Sequence, residues 1–204
     1  MKEHFAALGV RIFRRRLHVG LAAVLLATLV FRPRNFFGAH ETAGNVVSLI
    51  LVVTGLALRA WAAGCAGRHT RRATIEAPRL ATGGPFAHVR NPIYLASIIL
   101  GLGMVGLLGD PWMLGLYIAV FVFLYTAIVP AEERFLLGEF GEAYARYCAN
   151  VPRLLPRLRR WPEAERRPFD RAAILGEARL ALILVAIYAG LRTAAALRME
   201  WMGY

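Results

Sequence analysis

Two polar stretches set against long apolar runs hold the residue types that could do chemistry in this chain. One is Gly84-Pro85-Phe86-Ala87-His88-Val89-Arg90-Asn91-Pro92-Ile93-Tyr94-Leu95, the other Pro130-Ala131-Glu132-Glu133-Arg134. Carboxylates at the edge of a membrane are costly unless they are paired or functional. One of Glu132 and Glu133 could bind a cationic ligand, such as an amino or sulfonium group, while the other holds Arg59, Arg90 or Arg153 in place. The plain alternative is an interfacial Glu–Arg pair with Arg59. Arg90 and Arg153 each stand beside a proline turn, and a guanidinium fork matches a carboxylate or phosphate. Either could instead snorkel to lipid phosphates. Tyr94 and Tyr147 could close an aromatic wall around a planar ring, or sit at the interface where tyrosine is enriched.

The elements that must position these residues are membrane helices. Of the 204 residues 58% are apolar, more than a soluble domain of this size carries. Crossing about 30 Å of hydrocarbon takes roughly 20 helical residues. Five apolar runs approach that length, at about Leu17–Phe31, Ala43–Gly64, Ile93–Leu108, Trp112–Val129 and Ala172–Leu197. The third and fourth are joined only by Gly109-Asp110-Pro111, which demands a tight antiparallel hairpin. The expected fold is therefore an all-α integral membrane domain over residues 1–204 with about five transmembrane helices.

Charge sets the expected orientation. Nineteen of the 25 Lys and Arg fall before the first run, between Cys65 and Pro92, or between Ala131 and Ala173, and four fall in the alternate loops and at the C-terminus. The positive-inside bias puts the N-terminus and both polar stretches in the cytoplasm and the C-terminus outside. The net charge of +12 then reflects topology and attraction to anionic membrane lipids. No basic stripe interleaved with exposed aromatics points to nucleic acid. The N-terminal basic-then-apolar pattern reads as an uncleaved first helix, since no small-x-small site follows Phe31. The five His and two Cys show no metal-ligand spacing, and no metal is expected.

Locally, Asn91 is a natural N-cap before Pro92 at the first turn of the third helix. The stretch Arg71–Glu76 could pair as a short strand or lie on the surface. Phe140, Tyr144 and Tyr147 form one stripe at helical spacing, which suits either an interfacial helix or a pocket wall. The chain leaves that helix extended at Val151-Pro152-Arg153-Leu154-Leu155-Pro156. Residues 157–170, charged and broken by proline, read as a surface connection. Glu177 and Arg179 are too close in sequence to share a helix face.

Taken in order, Gly84-Pro85-Phe86, Val89-Arg90-Asn91-Pro92-Ile93-Tyr94, the tight hairpin, Glu132-Glu133-x-x-Leu136 and Phe140-Gly141-x-x-Tyr144-x-x-Tyr147-x-x-x-Val151-Pro152-Arg153 resemble the isoprenylcysteine carboxyl methyltransferase and phospholipid methyltransferase family. The resemblance covers about residues 55–157, leaving 1–43 as an N-terminal helix and 158–204 as a C-terminal connection and fifth helix. It implies an integral membrane methyltransferase using S-adenosylmethionine, with a cytoplasmic cofactor pocket and a lipid-like substrate arriving from the bilayer. Carried onto this chain, it implies cofactor contacts from His88, Val89, Arg90, Asn91, Pro92, Tyr94, Leu95, Glu133 and Tyr147, and catalytic roles for Glu132, Glu133 and Arg153. The family's usual Arg-His-Pro is Arg90-Asn91-Pro92 here, as in phosphatidylethanolamine methyltransferases, and Asn cannot titrate near neutral pH. A related sterol-reductase group tends to carry Gly-Glu where this chain has Leu95-Ala96.

Methyl transfer from a sulfonium is an in-line displacement that needs alignment and exclusion of water. A prenylcysteine-type carboxylate held by Arg153 needs no base, whereas an aminophospholipid must first lose a proton to a base such as one Glu. The rival readings are a non-catalytic lipid-binding membrane protein that kept the fold and an NADPH-dependent membrane reductase.

Overall fold

The computed structural model describes residues 18–20, 22–29, 31–32, 37–67, 79–165 and 169–201. Among the described residues five helices succeed one another: α1 (His18–Leu29), α2 (Glu41–Ala66), α3 (Pro92–Leu108), α4 (Pro111–Asn150) and α5 (Ala172–Trp201). Short 3₁₀ turns occupy Gly38–His40 and Gly84–Ala87, and no strand occurs among the described residues. The protein is an all-α integral membrane protein. Among the described residues three stretches are long and apolar enough to cross a bilayer: Gly38–Ala66, Pro111–Asn150 and Ile174–Trp201. α1 and α3 are shorter apolar helices. The expected Arg71–Glu76 strand, the N-terminal basic residues before His18 and Arg34 lie outside the described residues.

Helix ends follow from local chemistry. Pro92 and Pro111 occupy first turns, where a missing N–H costs nothing. Gly109 ends α3 in the left-handed region at φ 71°, its N–H donating to the carbonyls of Val105 and Gly106. The Asp110 carboxylate then caps α4, accepting from the Trp112 N–H at 3.0 Å, and also accepts from the Arg32 N–H at 2.9 Å. The Tyr117 hydroxyl donates back to the Ser97 carbonyl at 2.8 Å. This makes the expected antiparallel hairpin and ties its turn to the segment after α1.

Small residues let α2 and α3 touch along their backbones. Ser48, Gly55 and Ala62 are buried at seven-residue spacing on α2, facing Ala96, Leu100 and Gly103 on α3. A Cβ at Gly55 would lie 2.7 Å from the Leu100 backbone nitrogen, and one at Gly103 would lie 2.6 Å from the Ser48 carbonyl oxygen. In lipid, where burial of apolar surface gives no drive, such close packing supplies the attraction.

α5 closes the bundle. Its Leu191 and Ala195 pack with Ala27, Phe31, Leu108 and Met113, and the Arg198 guanidinium donates to the carbonyls of Thr28 and Leu29. At the opposite end the Asp170 N–H donates to the Gly64 carbonyl at 3.0 Å. One end of the bundle therefore gathers the α3–α4 turn and the C-termini of α1 and α5, and the other gathers both polar stretches.

Two expectations change. The fourth apolar run and the helix bearing the 140–147 stripe are one element: α4 continues past Val129 through Pro130 to Asn150, bending at Gly141, whose φ 48° and ψ −124° are not helical. Proline removes one helical N–H, but Ile128, Val129 and Ala131 are buried on both sides of it and hold the helix on course. Nor is 157–165 a loose surface connection. Trp161 and Ala164 bury against Ala87, Tyr144, Tyr147 and Val151, and the Arg157 and Trp161 N–H groups donate to the carbonyls of His88 and Ala87 at 2.9 and 3.0 Å. Together with the extended stretch from Val151 that leads into it, the segment is a strap, residues 151–165, fastened across the loop before α3.

Gly55→Ala should destabilise the bundle by about 1–3 kcal/mol through overpacking, read as a lowered unfolding midpoint in detergent. Gly115→Ala, with nothing within 4 Å of its added Cβ, should leave that midpoint unchanged or raise it.

Candidate active site

Three segments meet at the polar end of the bundle: the loop 84–91 with the first turn of α3, the middle and far part of α4, and the start of the strap. Pro85, Ala87, Val89 and Pro92 are buried, fixing the loop so that Arg90 and Asn91 project beside α4. The Arg90 N–H donates to the Pro152 carbonyl at 2.8 Å, and His88 Nδ1 donates to the Arg157 carbonyl at 3.0 Å.

Glu133 joins these segments. Its Oε1 lies 3.2 Å from Arg90 Nη1 and accepts from Arg153 Nε at 3.0 Å, while Oε2 accepts from Arg153 Nη2. The Glu133 and Arg90 side chains are 15% and 16% exposed and that of Arg153 is 49%, so the first two form a shielded pair and Arg153 keeps an open edge. The hydrogen bonds that Arg153 donates to Glu133 push its guanidinium above its ordinary pKa. Arg90 Nη1 also donates to Cys148 Sγ at 2.8 Å.

Asn91 stands at the N-cap position of α3 without capping it. Its amide donates instead to the Arg153 carbonyl at 3.1 Å, because the chain after α4 passes within reach. Glu132 accepts from the Tyr94 hydroxyl at 3.1 Å, and the Tyr94 ring meets Tyr125 edge-on at 5.6 Å. Leu95 donates its N–H to the Asn91 carbonyl within the first turn. A cleft of about 520 Å³ opens along α4, lined by Glu133, Arg134, Leu137, Tyr144, Ala145 and Cys148. Two buried polar atoms have no hydrogen-bond partner among the described residues, Arg90 Nε and the Tyr125 hydroxyl. Leaving such a group unsatisfied costs about 1–3 kcal/mol, so both suit a bound polar ligand.

Tyr94 and Tyr147 do not form one wall. Tyr147 packs on Trp161 at 5.5 Å and on Tyr144 at 6.1 Å, its hydroxyl donating to the Phe86 carbonyl at 2.8 Å. Tyr144 is buried with it, so the stripe on 140–147 faces protein and the interfacial reading of that helix fails. Arg59 is also elsewhere. It pairs with Glu177 at 3.0 Å and donates to the Ser97 hydroxyl at 2.6 Å, because the first turns of α5 pack against the end of α2. Cys148, Tyr125 and Trp161 were not singled out from sequence. Tyr117, Phe121 and Tyr125 do repeat at four-residue spacing, a legible stripe whose contacts at 6.0 and 5.7 Å run toward Tyr94. Among the described residues no group of three or more His, Cys, Asp or Glu could hold a metal ion.

The family model for phospholipid methyltransferases matches residues 43–143. Over this half of its length the chain belongs to that family. The chain is 34% identical over 77 residues to protein-S-isoprenylcysteine O-methyltransferase of Schizosaccharomyces pombe, covering 38% of this chain and 33% of that protein. It is 30% identical over 79 residues to cobalt-zinc-cadmium resistance protein CzcN of Cupriavidus metallidurans, covering 39% of this chain and 36% of that protein. The matched stretches thus span about a third of the length of these relatives. No solved structure gives a significant match. The family region contains Arg90, Asn91, Tyr94, Glu132 and Glu133 and ends before Cys148 and Arg153, so the cluster ties the family core to the chain that follows it.

Glu133→Gln should cost about 3 kcal/mol, because it leaves the shielded Arg90 guanidinium without its counter-charge. Unfolding in detergent checks this, and Arg153→Lys, at the half-exposed partner, should cost no more than about 1 kcal/mol.

Proposed function

We propose that the chain is a membrane methyltransferase that uses S-adenosylmethionine and methylates a lipid-like acceptor, with its site on the cytoplasmic side. The observation that carries this reading is the Arg90–Glu133–Arg153 cluster beside the cleft, most of it inside the phospholipid methyltransferase region. The cofactor would supply an electrophilic methyl group on a sulfonium.

The residues suit that ligand. A cleft of about 520 Å³ falls within the span of small-molecule sites, roughly 300–1,000 Å³. Arg90 Nε and the Tyr125 hydroxyl could donate to a carboxylate or hydroxyl oxygen. Glu132, which accepts from the neutral Tyr94 hydroxyl, is the carboxylate suited to attract an ammonium or sulfonium, since the charge of Glu133 is spent on Arg90 and Arg153. His88, Val89, Pro92 and Leu95 shape the backbone around Arg90 and Asn91, and Tyr147 braces the loop through Phe86. Arg153 would orient an acceptor carboxylate with its exposed edge. Eight of the nine cofactor-contact assignments thus concern the loop, the first turn of α3 and their bracing by Tyr147, and the density of arginine at this end favours the cytoplasm.

The acceptor is proposed to be a prenylcysteine-type carboxylate or an aminophospholipid. The carboxylate route should show a rate flat across neutral pH, and the amine route a rate that rises with pH as the base ionises. A pH–rate profile on whichever acceptor turns over separates them.

Calorimetry on detergent-purified protein tests the cofactor. S-adenosylmethionine and S-adenosylhomocysteine should bind with Kd on the order of micromolar, weakened at least about tenfold, or 1.4 kcal/mol, in Glu133→Gln. A folded sample that binds neither would move the weight to a non-catalytic lipid-binding protein.

A further inference from the structure

The strap after α4 carries side chains that neither the fold nor the site employs. Leu155 is 79% exposed and Leu158 is 99% exposed, yet Val151, Trp161 and Ala164 of the same segment are buried. Around the two leucines stand Arg153, Arg157, Arg159 and Arg160. Three of them are spoken for on the protein side: Arg153 by Glu133, Arg157 by the Asn150 carbonyl at 2.6 Å and Arg160 by the Ala164 carbonyl at 2.7 Å. Arg159 is exposed between Leu158 and Arg160. Apolar side chains held this far out by a segment whose backbone is fastened have no role in packing the protein.

The place of the strap says what meets it. It follows the polar far part of α4, which turns at Gly141, and leads to α5, whose approach is tied to the end of α2 through Asp170 and Gly64. Its middle hangs from Ala87 and His88, just before α3 begins. A segment tied to the start of α3 and the end of α2 is within reach of the lipid head groups. Leucines can then enter the acyl boundary while arginines meet phosphate, the arrangement of interfacial anchors.

We propose that Leu155, Leu158 and Arg159 form a docking surface for the head-group layer of an anionic bilayer, seating the strap on the membrane. Each arginine near a negatively charged leaflet adds attraction, so the surface should prefer phosphatidylglycerol over phosphatidylcholine. Since Arg157 and Trp161 are bonded to His88 and Ala87, the loop bearing Arg90 is then referenced to the lipid surface.

Spin labelling tests this without any assumption about activity. The protein with Cys65→Ser and Cys148→Ser receives a nitroxide at Leu158→Cys, or, as a control, at Glu163→Cys, whose side chain is 59% exposed. Both are placed in nanodiscs of phosphatidylcholine alone or mixed with phosphatidylglycerol. The proposal expects the label at 158 to collide mainly with oxygen and the control mainly with a water-soluble nickel chelate. It also expects the oxygen preference at 158 to grow with phosphatidylglycerol and to shrink when Arg159→Gln is added. Nickel access at 158 equal to the control would overturn it, as would shielding from both reagents, which marks a protein contact. Oxygen access indifferent to lipid charge would overturn the anionic preference.

Discussion

Glu133 is one carboxylate holding two guanidiniums that come from opposite sides of a helical hairpin, and the polar end of the bundle is arranged around that sharing. Arg90 precedes α3 and Arg153 follows α4. Near a bilayer the desolvation of a charge has to be offset locally, so the cluster is sound only if all three segments arrive together. That requires α4 to pass its own proline and project beyond the apolar run, and it requires the loop before α3 to be buried by Pro85, Ala87 and Val89. The strap completes the arrangement, since the Arg90 N–H and the Asn91 amide both end on its carbonyls.

Behind the cluster, the membrane part relies on contact more than on charge. The α2–α3 pair uses small residues to bring backbones together, which gives α3 a fixed height although it is short. The ion pair between Arg59 and Glu177 ties α5 to α2 and, through Ser97, to α3. A helix outside the family region is in this way made part of the same frame. The far end, with Asp110 receiving two backbone N–H groups, is closed by polar bonds that need no partner from solvent.

Much of this was legible beforehand. Apolar runs, prolines at helix starts and the Gly109-Asp110-Pro111 turn reported the helices and their hairpin within a few residues, save for the far end of α4, since each rests on local chemistry. The association of Arg90, Glu133 and Arg153 was suggested by residue type and by ordered resemblance. What escaped was partner choice. Glu177 and Arg59 are far apart in sequence, and no periodicity links them. Trp161 sits in a run of charge and proline that reads as solvent-exposed until its burial against Tyr147 is seen. Asn91 obeys the cap rule in position and departs from it in bonding, because a carbonyl from a distant segment competes for its amide.

The bend at Gly141 divides the residues of the cleft. Glu133, Arg134 and Leu137 lie before it, and Tyr144, Ala145 and Cys148 lie after it. Both jaws of the cleft therefore belong to one helix, articulated at a single residue whose φ of 48° is open to glycine and strained for side-chain-bearing residues. The rear jaw is bolted to the strap through Trp161 and the front jaw to the helical hairpin through Tyr94. The aperture is thus governed by one backbone joint, and the dimensions of whatever enters are written in two torsion angles.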